Sequence, residues 1–342
     1  MSSPAADITT HRIRLRQKRM RLGLLLLAFL LVTAVIRITQ GEWSIPLSHV
    51  FEILFSYASN PDLNSPEAIV VRSVRLPRFF AAVGAGGMLA MAGVVLQGLL
   101  SNPLAEPYTL GIAAGAAFGG ALGFFFNSAM VTPFAFIGAL GALWMVSAIA
   151  WRGDGGSGTY LVLAGIITNA VLSAGVTFLK AIADDRLAAI VLWLMGSLSG
   201  ASARTSVTVW VGALALLIPA LIYGRELDAV SLGEEQGERL GVNEKKLRII
   251  LLSFASFGTA LTVSSFGIIG FVGLVIPHLI RAAIGPSHRA LIIFSFLAGG
   301  TLLAIADGVA QAMGELPVGV LTAIIGGPFF CWILAGRKGG AR

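Results

Sequence analysis

Long, nearly uninterrupted apolar segments recur along the whole chain, and they constrain its fold more than any other feature. A hydrocarbon core about 30 Å thick is crossed by roughly 20 helical residues. Segments of about this length lie near 22–36, 79–100, 107–126, 132–151, 160–179, 204–223, 248–266, 268–283, 290–310 and 317–335. Of the 342 residues, 56% are hydrophobic and only 12% are charged, which ordinary soluble domains do not show. The sequence predicts an all-α polytopic membrane protein with about ten transmembrane helices.

The basic residues predict how the chain is oriented. Residues 11–21, HRIRLRQKRMR, carry six bases directly before the first apolar segment, which is typical of either a signal peptide or a membrane anchor. We favour an uncleaved anchor, because no small-x-small cleavage site follows. With the N-terminus inside, 17 of the 24 Lys and Arg residues fall on the inner side, as the positive-inside rule requires. We expect a cytoplasmic basic tail over 1–21, a single transmembrane domain over 22–342, and both termini in the cytoplasm.

Several function classes find no support in the residues. The formal net charge of +7 is explained by the orienting bases, so no nucleic-acid partner is expected. The chain has no Gly-Lys dipeptide and hence no Walker A phosphate cradle. His278 and His288 have no third ligand nearby, and the single Cys331 allows no intrachain disulfide. No catalytic residue, metal site or cofactor is expected in this chain.

The most charged interior segment, 226–248, reads ELDAVSLGEEQGERLGVNEKKLR and cannot lie in lipid. The spacing of Ser231 and Glu234 matches a capping box, Gly241 can end a short helix, and Asn243 can cap the next span. The pattern predicts a short helix, a turn and a membrane helix on the cytoplasmic side.

Two interpretations of this charged segment are open. It is either a solvated connector or an element that docks on another protein. Docking is favoured by Leu232, Leu240 and Val242, because a short cytoplasmic element has little core of its own to cover these apolar residues.

The stretch SLGEEQGERLGVN (231–243) resembles the coupling segment of a known family, the FecCD or BtuC-like permease subunits of ABC importers for iron-siderophores, haem and vitamin B12. The family pattern is also recognisable in RLPRFFAAVGAGGMLAMAGVVLQGLLSNPLAEPYTLG (75–111), LWLMGSLSG (192–200), GIIGFVGLVIPHLIR (267–281) and ELPVGVLTAIIGGPFF (315–330). These stretches cover the chain from residue 75 onward in the family's order, so their joint specificity is high.

The resemblance implies a BtuC-like permease fold with cytoplasmic coupling helices, in the inner (cytoplasmic) membrane of a bacterium or archaeon. Two copies would form a homodimer around one pathway, surrounded by membrane lipid. Two separate ATPase subunits, which carry ATP and Mg²⁺, would lie beneath it and a periplasmic or lipid-anchored substrate-binding protein above. Within the coupling segment, 226–247, the residues expected to contact the ATPase are Ser231, Leu232, Gly233, Glu234, Glu235, Arg239, Leu240, Gly241 and Val242.

Arg72, Arg75 and Arg78 form a basic cluster on the predicted outer side. Pro77 fits the first turn of a helix, which leaves Arg78 at the positive end of the helix dipole, unfavourable by roughly 0.3–1 kcal/mol. Such a cluster suggests an anionic partner, either lipid phosphates or a protein. The resemblance implies that Arg75 and Arg78 receive acidic residues of the binding protein. The family's further outer arginine is replaced here by Gln311, for which Arg72 is a candidate substitute.

The motif NPLAEP at 102–107 lies between two predicted spans. Asn102 can cap a helix that begins at Pro103, but Pro107 removes a donor one turn later, so the chain must bend or restart. The motif is either a plain turn or a broken helix that lines a cavity. The resemblance implies a position near the inner part of the pathway and assigns Asn102, Pro103, Leu104 and Ala105 to the translocation path.

These observations predict a permease subunit of an ATP-driven importer for a metal chelate. A ferric siderophore is the expected cargo, and haem or cobalamin carried by the same machinery is the alternative. An ion-coupled secondary transporter would need an ionisable residue at the membrane midplane, where neither Asp307 nor Asp184 is expected. An intramembrane enzyme would need convergent Ser/His or Asp/Asp pairs, and the sequence offers none.

Overall fold

The computed structural model describes residues 4–41, 43–55, 65–154 and 156–336, and for residues 4–12, 154, 234–235 and 332–336 it describes only the backbone. The described residues form helices and turns, with no strand among them. The α-helices are α1 (Pro4–Thr39), α2 (Leu47–Phe55), α3 (Pro66–Ile69), α4 (Leu76–Leu99), α5 (Ile112–Phe126), α6 (Ser128–Asp154), α7 (Gly158–Ala181), α8 (Leu187–Leu194), α9 (Ala203–Ile222), α10 (Gly224–Val230), α11 (Glu234–Arg239), α12 (Glu244–Phe266), α13 (Val272–Ile284), α14 (His288–Ala312) and α15 (Val318–Gly336).

The helices confirm the predicted fold class. Within the described residues, seven helical segments are long and apolar enough to cross a membrane. The other three predicted spans correspond to the shorter apolar helices α5, α13 and α15. Two of these start later than expected, because Pro107–Leu110 forms a separate 3-10 turn before α5 and Phe271 adopts a left-handed conformation (φ 67°) before α13.

Residues 37–78, between the first two spans, contain Pro46, Asn60-Pro61 and Ser65-Pro66, which predicts an exposed loop with one short amphipathic helix. The structure differs from this prediction. The amphipathic helix exists as α2. A second helix begins at Pro66, where the Ser65 hydroxyl accepts a hydrogen bond from the Ala68 amide, and continues through a π-helical turn, Val70–Arg75, into α4. The expected Asn60-Pro61 turn lies outside the described residues. The consequence is that Arg72, Arg75 and Arg78 all belong to one continuous helix, Pro66–Leu99.

The first helix is also longer than a single membrane span. It has 36 residues, which at 1.5 Å per residue makes about 54 Å, against a hydrocarbon core of about 30 Å. The basic run before the first apolar segment therefore continues the same helix and does not form a separate irregular tail. Arg19 donates to the carbonyl oxygen of Ile284 at the end of α13, so this extension touches the bundle.

Helix α4 lies at the centre of the bundle, with nearly all its residues buried against α9, α12, α13 and α14. Its glycines allow the closest approaches. A Cβ atom added at Gly86 would lie 2.2 Å from the carbonyl oxygen of Gly299 in α14, and one at Gly93 would lie 1.8 Å from that of Gly273 in α13. Lipid offers little hydrophobic drive for helix association, so such small-residue contacts let the backbones gain packing contacts instead. The bundle is thus built around α4.

Candidate functional site

The charged segment folds as two short helices, α10 and α11, which we call the α10–α11 element (residues 224–242). The expected capping box between Ser231 and Glu234 is wrong. Because α10 continues to Val230, Ser231 ends that helix, and its hydroxyl donates to the carbonyl oxygen of Asp228 at 2.9 Å. Helix α11 begins only after the chain reverses at Gly233 (φ 125°), which offers no side-chain cap.

The expected end of the short helix is confirmed. Arg239 is exposed in the last turn of α11, and Gly241 follows in the left-handed region at φ 80°. A Cβ at Gly241 would meet no atom within 4 Å, so the backbone conformation and not the packing demands glycine there. Asn243 caps α12 as expected, its Oδ1 accepting from the Lys246 amide at 2.9 Å.

Two leucines of the α10–α11 element have no cover. Leu232 is 64% exposed and Leu240 66% exposed, at the start and the end of α11. Val242, which the sequence grouped with them, is half-buried and packs against the core of the bundle. Large apolar side chains on a charged, water-exposed element favour docking over a solvated connector, although singly exposed leucines are common.

A second constellation lies at the opposite end of α4, and we call it the arginine cluster (Arg37, Arg78, Asp307, Gln311 and Glu315). Asp307 is 1% exposed and accepts from both guanidinium groups: from Arg78 at 2.8 and 3.0 Å and from Arg37 at 2.5 Å. Arg78 also donates two hydrogen bonds of 2.8 Å to the carboxylate of Glu315. Arg37 donates to Gln311 Oε1 at 2.8 Å.

The burial of this cluster explains its pairing. A charge removed from water is tolerated when its partner satisfies it with good geometry, and bidentate arginine–carboxylate pairs provide that. Glu315 closes the cluster on the solvent side from a left-handed backbone conformation (φ 61°), which is uncommon for a residue with a side chain. Beside it, a cavity of about 780 Å³ between α1 and α14 reaches Arg37, Gln311 and Glu315.

The other two arginines of the predicted outer cluster, Arg72 and Arg75, hydrogen-bond to backbone carbonyl groups. Arg75 donates to the carbonyl oxygens of Ile38 and Thr39 at 2.8 and 2.9 Å and to that of Trp43 at 2.7 Å, so it fastens the end of α1. Arg72 donates to the carbonyl oxygen of Ile53 in α2. The side chains of Arg75 and Arg78 are buried, whereas the sequence suggested a cluster that faces an anionic partner.

The turn after α4 departs from its predicted form. No helix begins at Pro103: the Asn102 side chain instead accepts from the Leu104 amide at 2.9 Å, an Asx-type turn, and the chain restarts with the 3-10 turn at Pro107. The expectation that the chain bends here is therefore confirmed, but Asn102 does not cap a helix. Leu104 is exposed and Ala105 is buried.

Tyr108 and Glu106 lie next to this turn. The Tyr108 hydroxyl donates to the carbonyl oxygen of Ile269 at 2.8 Å and accepts from its amide at 3.2 Å, which ties the turn to the segment before α13. Burial raises the pKa of Glu106 to about 7. The turn is therefore anchored to a distant part of the chain and carries a carboxyl group that is easily protonated.

Three of the quoted sequence motifs meet in space. The Ser197 amide donates to the carbonyl oxygen of Phe266 at 2.8 Å, and the Gly319 amide to that of Gly196 at 3.2 Å. Gly196 adopts φ 72° and packs so closely on Ile268 that a Cβ would lie 2.2 Å from its carbonyl oxygen. The glycines of 192–200, 267–281 and 315–330 thus form one backbone-to-backbone junction.

Comparison with known proteins decides the family. The sequence profile of the FecCD transport family matches residues 26–336, nearly the whole chain. The chain belongs to the FecCD transport family.

Similar proteins include the hemin transport system permease HmuU of Yersinia pestis, 38% identical over 92% of this chain and 96% of that protein. The cobalamin import permease BtuC of Halobacterium salinarum is 38% identical over 84% and 79% of the two chains, and the molybdate import permease MolB of Haemophilus influenzae is 34% identical over 90% and 93%. An inward-facing structure of a metal-chelate type ABC transporter matches with a TM-score of 0.80 and 32% identity over 91% of this chain and 97% of that chain. The chain is thus a multi-pass membrane permease of the ABC transporter class.

In this FecCD permease, the structure supplies residues that sequence reasoning missed. Arg37 brings its guanidinium beside Gln311, where the sequence lacked the family's further arginine, whereas Arg72 hydrogen-bonds to Ile53 of α2. One signal was available: an aspartate inside an apolar span, here Asp307, requires a buried partner. The docking role of Arg75 and Arg78 and the path role of Asn102–Ala105 stay predictions.

Proposed function

We propose that this FecCD permease works as a homodimer that imports a metal chelate, most simply a ferric siderophore, through ATP hydrolysis on two separate cytoplasmic ATPase subunits. A periplasmic or lipid-anchored binding protein delivers the cargo at the arginine-cluster end. The membrane is the cytoplasmic membrane of a bacterium or archaeon, with both termini inside. This chain itself binds no nucleotide and makes no covalent bond.

The observation that carries the proposal is the uncovered leucine pair of the α10–α11 element. Leu232 and Leu240 flank a six-residue helix whose backbone is held at both ends, by the reversal at Gly233 and by the left-handed Gly241. A short, held helix with exposed apolar ends suits a cleft in a partner better than free solvent. ATP binding and release would then shift which face of the pathway is open, as a two-state equilibrium.

The names of the relatives indicate several different cargoes and favour none of them. Permeases whose names specify hemin and cobalamin are equally similar to this chain, at 38% identity, and one named for molybdate follows at 34%. Haem and cobalamin are therefore full alternatives to a siderophore. Asp307 does not support an ion-coupled mechanism, because two arginines already neutralise this buried carboxylate.

The first prediction tests the docking surface. Replacement of both Leu232 and Leu240 by serine should abolish ATPase co-purification and reduce uptake at least tenfold, because a loss of about 1.4 kcal/mol of binding free energy already lowers affinity tenfold. Co-purification with the ATPase and uptake of labelled ferric siderophore, hemin and cobalamin by vesicles measure the result. Leu192→Ser is the control, because it makes the same change at a leucine of α8 that is 60% exposed.

Two outcomes of that experiment would count against the proposal. Normal ATPase association in the double variant would remove the docking role of the leucines. Uptake that continues without any ATPase would remove the ATP-driven mechanism altogether. Gly241→Pro offers an independent check, because proline cannot adopt the φ of 80° found there.

A further inference from the structure

The α10–α11 element is attached to the bundle by an aspartate–histidine pair. Oδ1 of Asp228, in α10, accepts from the backbone amide of His288 at 2.7 Å and lies 2.7 Å from Nδ1 of the same residue. His288 is the first residue of α14 and its side chain is almost fully buried, while Asp228 is half-exposed. The two residues are 60 positions apart, so the pair joins two separate parts of the chain.

The Asp228 side chain acts as an N-terminal cap of α14. The first amides of a helix have no partner within the helix, and Ser287, at the cap position, supplies no side-chain hydrogen bond. A carboxylate at this position also faces the positive end of the helix dipole. Although burial raises it, the hydrogen bonds from His288 bring the pKa of Asp228 below its ordinary value. Asp228 is therefore charged, and the bond to α14 persists, at neutral pH.

The other edge of the His288 ring faces α4. Nε2 is buried and has no hydrogen-bond partner among the described residues, and a Cβ placed on Gly98 would lie 2.5 Å from it. Gly98 lies in the last turn of α4, four residues before Asn102 and the turn assigned to the translocation path. Asp228, His288 and Gly98 therefore form one unbroken line of contact from the α10–α11 element to the end of α4.

The next residue provides a comparison. Arg289 donates from Nε to the carbonyl oxygen of Leu221 at 3.1 Å and from Nη2 to that of Ile222 at 3.2 Å. It thus fastens α14 to the end of α9. Arg289 holds the same corner of the bundle together but does not lie between Asp228 and Gly98.

We propose that His288 is a positioning residue for transport: its ring transmits the displacement of the α10–α11 element to the end of α4 and the Asn102–Ala105 turn. This inference rests on the proposed function, in which that element contacts an ATPase. The physical basis is that a buried ring in van der Waals contact on one side and hydrogen-bonded on the other leaves no free space to absorb a movement. Coupling then passes through a contiguous set of contacts that has two arrangements.

The alternative is that the pair only caps α14, and His288→Ala separates the two ideas. Alanine keeps the backbone amide that Asp228 accepts from, so the cap is retained, but it removes the ring between Asp228 and Gly98. We expect uptake per ATP hydrolysed to fall about tenfold. ATPase co-purification and ATP hydrolysis should stay close to those of the unmodified permease, whereas the melting temperature should fall because the missing ring leaves a cavity. Arg289→Ala is the matched control and should leave the coupling ratio unchanged.

The experiment uses the full complex of permease, ATPase and binding protein in liposomes, with labelled ferric siderophore, hemin or cobalamin, whichever the unmodified complex takes up. A second readout needs no cargo: a cysteine at Leu104, which is exposed, reports by its maleimide labelling rate whether ATP alters the turn, in a Cys331→Ser background. ATP should change that rate in the unmodified complex but not in His288→Ala. Gly98→Ala, which pushes a Cβ against the ring, should act in the same direction.

A normal coupling ratio and a normal ATP response of the Leu104 probe in His288→Ala would overturn the inference. So would a proportional loss of ATP hydrolysis and uptake, which is the signature of a structural cap. If His288→Ala does not assemble, His288→Leu takes its place under the same criteria, because leucine fills the site but cannot hydrogen-bond to Asp228. Failure of the unmodified permease to bind the ATPase is a different result, because it contradicts the proposed function itself.

Discussion

Asp307 is the residue on which the arginine end of the bundle depends. It is the shared counter-charge of Arg37 and Arg78, whose guanidinium groups are mostly buried. Removal of one partner from a buried ion pair costs about 3–5 kcal/mol, because an uncompensated charge remains. Here one carboxylate serves two cations, and Glu315, the other carboxylate of the cluster, is half-exposed and hydrogen-bonded to Arg78, so it replaces only part of the lost counter-charge.

The third prediction, after those on the leucine pair and on His288, concerns the loss of this counter-charge. Asp307→Asn should lower the free energy of unfolding by about 3–5 kcal/mol, measured as a lower melting temperature of the purified permease in detergent. Glu315→Gln is the matched change from a carboxylate to an amide at a half-exposed site and should cost less than about 1 kcal/mol, since water screens that pair. Equal melting temperatures for the two variants would contradict the central role of Asp307.

For single residues, the sequence indicated which side chain needs a charged partner, but it did not indicate which residue that partner is. The conflict between Arg78 and its helix dipole indicated an anionic partner, and the partner found is Asp307, 229 positions away. Nothing in the local pattern could select Asp307, because a separation of this size depends on how the helices pack. The prediction for Ser231 failed for a local reason: the capping pattern did not indicate the helix over 224–230, and the Ser231 hydroxyl hydrogen-bonds at the end of that helix.

Among the elements, α4 shows most directly how packing limits the sequence. Its crossing with α13 leaves no room at Gly93, where an added Cβ would lie 1.8 Å from a backbone oxygen. Gly141 in α6 has the opposite surroundings, with no atom within 4 Å of an added Cβ. The two glycines are indistinguishable by sequence, since both occupy apolar spans, yet one is fixed by a neighbouring helix and the other is not.

The fourth prediction compares these glycines. Gly93→Ala should destabilise the permease by roughly 1–3 kcal/mol or more, because the backbone of α13 must move away. Gly141→Ala should be neutral or stabilising by about 0.5–1 kcal/mol, the usual gain from replacing glycine inside a helix. Thermal unfolding in detergent measures both. A Gly93→Ala protein as stable as Gly141→Ala would show that the α4–α13 crossing is looser than the structure has it.

Apolar length was sufficient to predict the spans, but not where short helices begin. The late starts of α5 and α13 depend on Gly111 (φ 81°) and Phe271, whose left-handed conformations reverse the chain. The apolar pattern continues through both positions, so it gave no boundary. The predicted end of α11 at Gly241 was correct because this glycine lies between a polar helical stretch and the capping residue Asn243, a position where glycine commonly ends a helix.

In the whole molecule, one helix pair connects the two candidate sites. Helices α4 and α14 are joined at one end by the bond between Arg78 and Asp307, at the middle by the contact between Gly86 and Gly299, and at the other end by the contact between Gly98 and His288. The arginine cluster and the α10–α11 element therefore lie at opposite ends of the same packed pair. A displacement at either end is opposed by contacts along its full length.

Stability of the whole molecule should also depend on pH through its carboxyl groups. Hydrogen bonds from Arg78 lower the pKa of Glu315, and hydrogen bonds from His288 outweigh burial to lower that of Asp228, so both stabilise the fold at neutral pH and lose that contribution in acid. Burial acts in the opposite sense on Glu106, whose pKa rises from 4.5 to about 7. The fold therefore favours the protonated form of Glu106, and stability is lost as pH rises from about 4.5 to 7.

The fifth prediction tests the contribution of the Glu106 carboxyl group alone. Glu106→Gln keeps the shape of the side chain and removes its charge, so it should stabilise the permease at pH 8 by up to roughly 3 kcal/mol and leave it nearly unchanged at pH 4.5. Melting temperatures of both proteins across this range measure the difference, with Glu238→Gln as the exposed control. An equal increase in melting temperature at both pH values would mean that the increase does not come from removal of the buried charge. A gain confined to high pH would show that the turn between α4 and α5 carries a neutral carboxyl group when the permease is most stable.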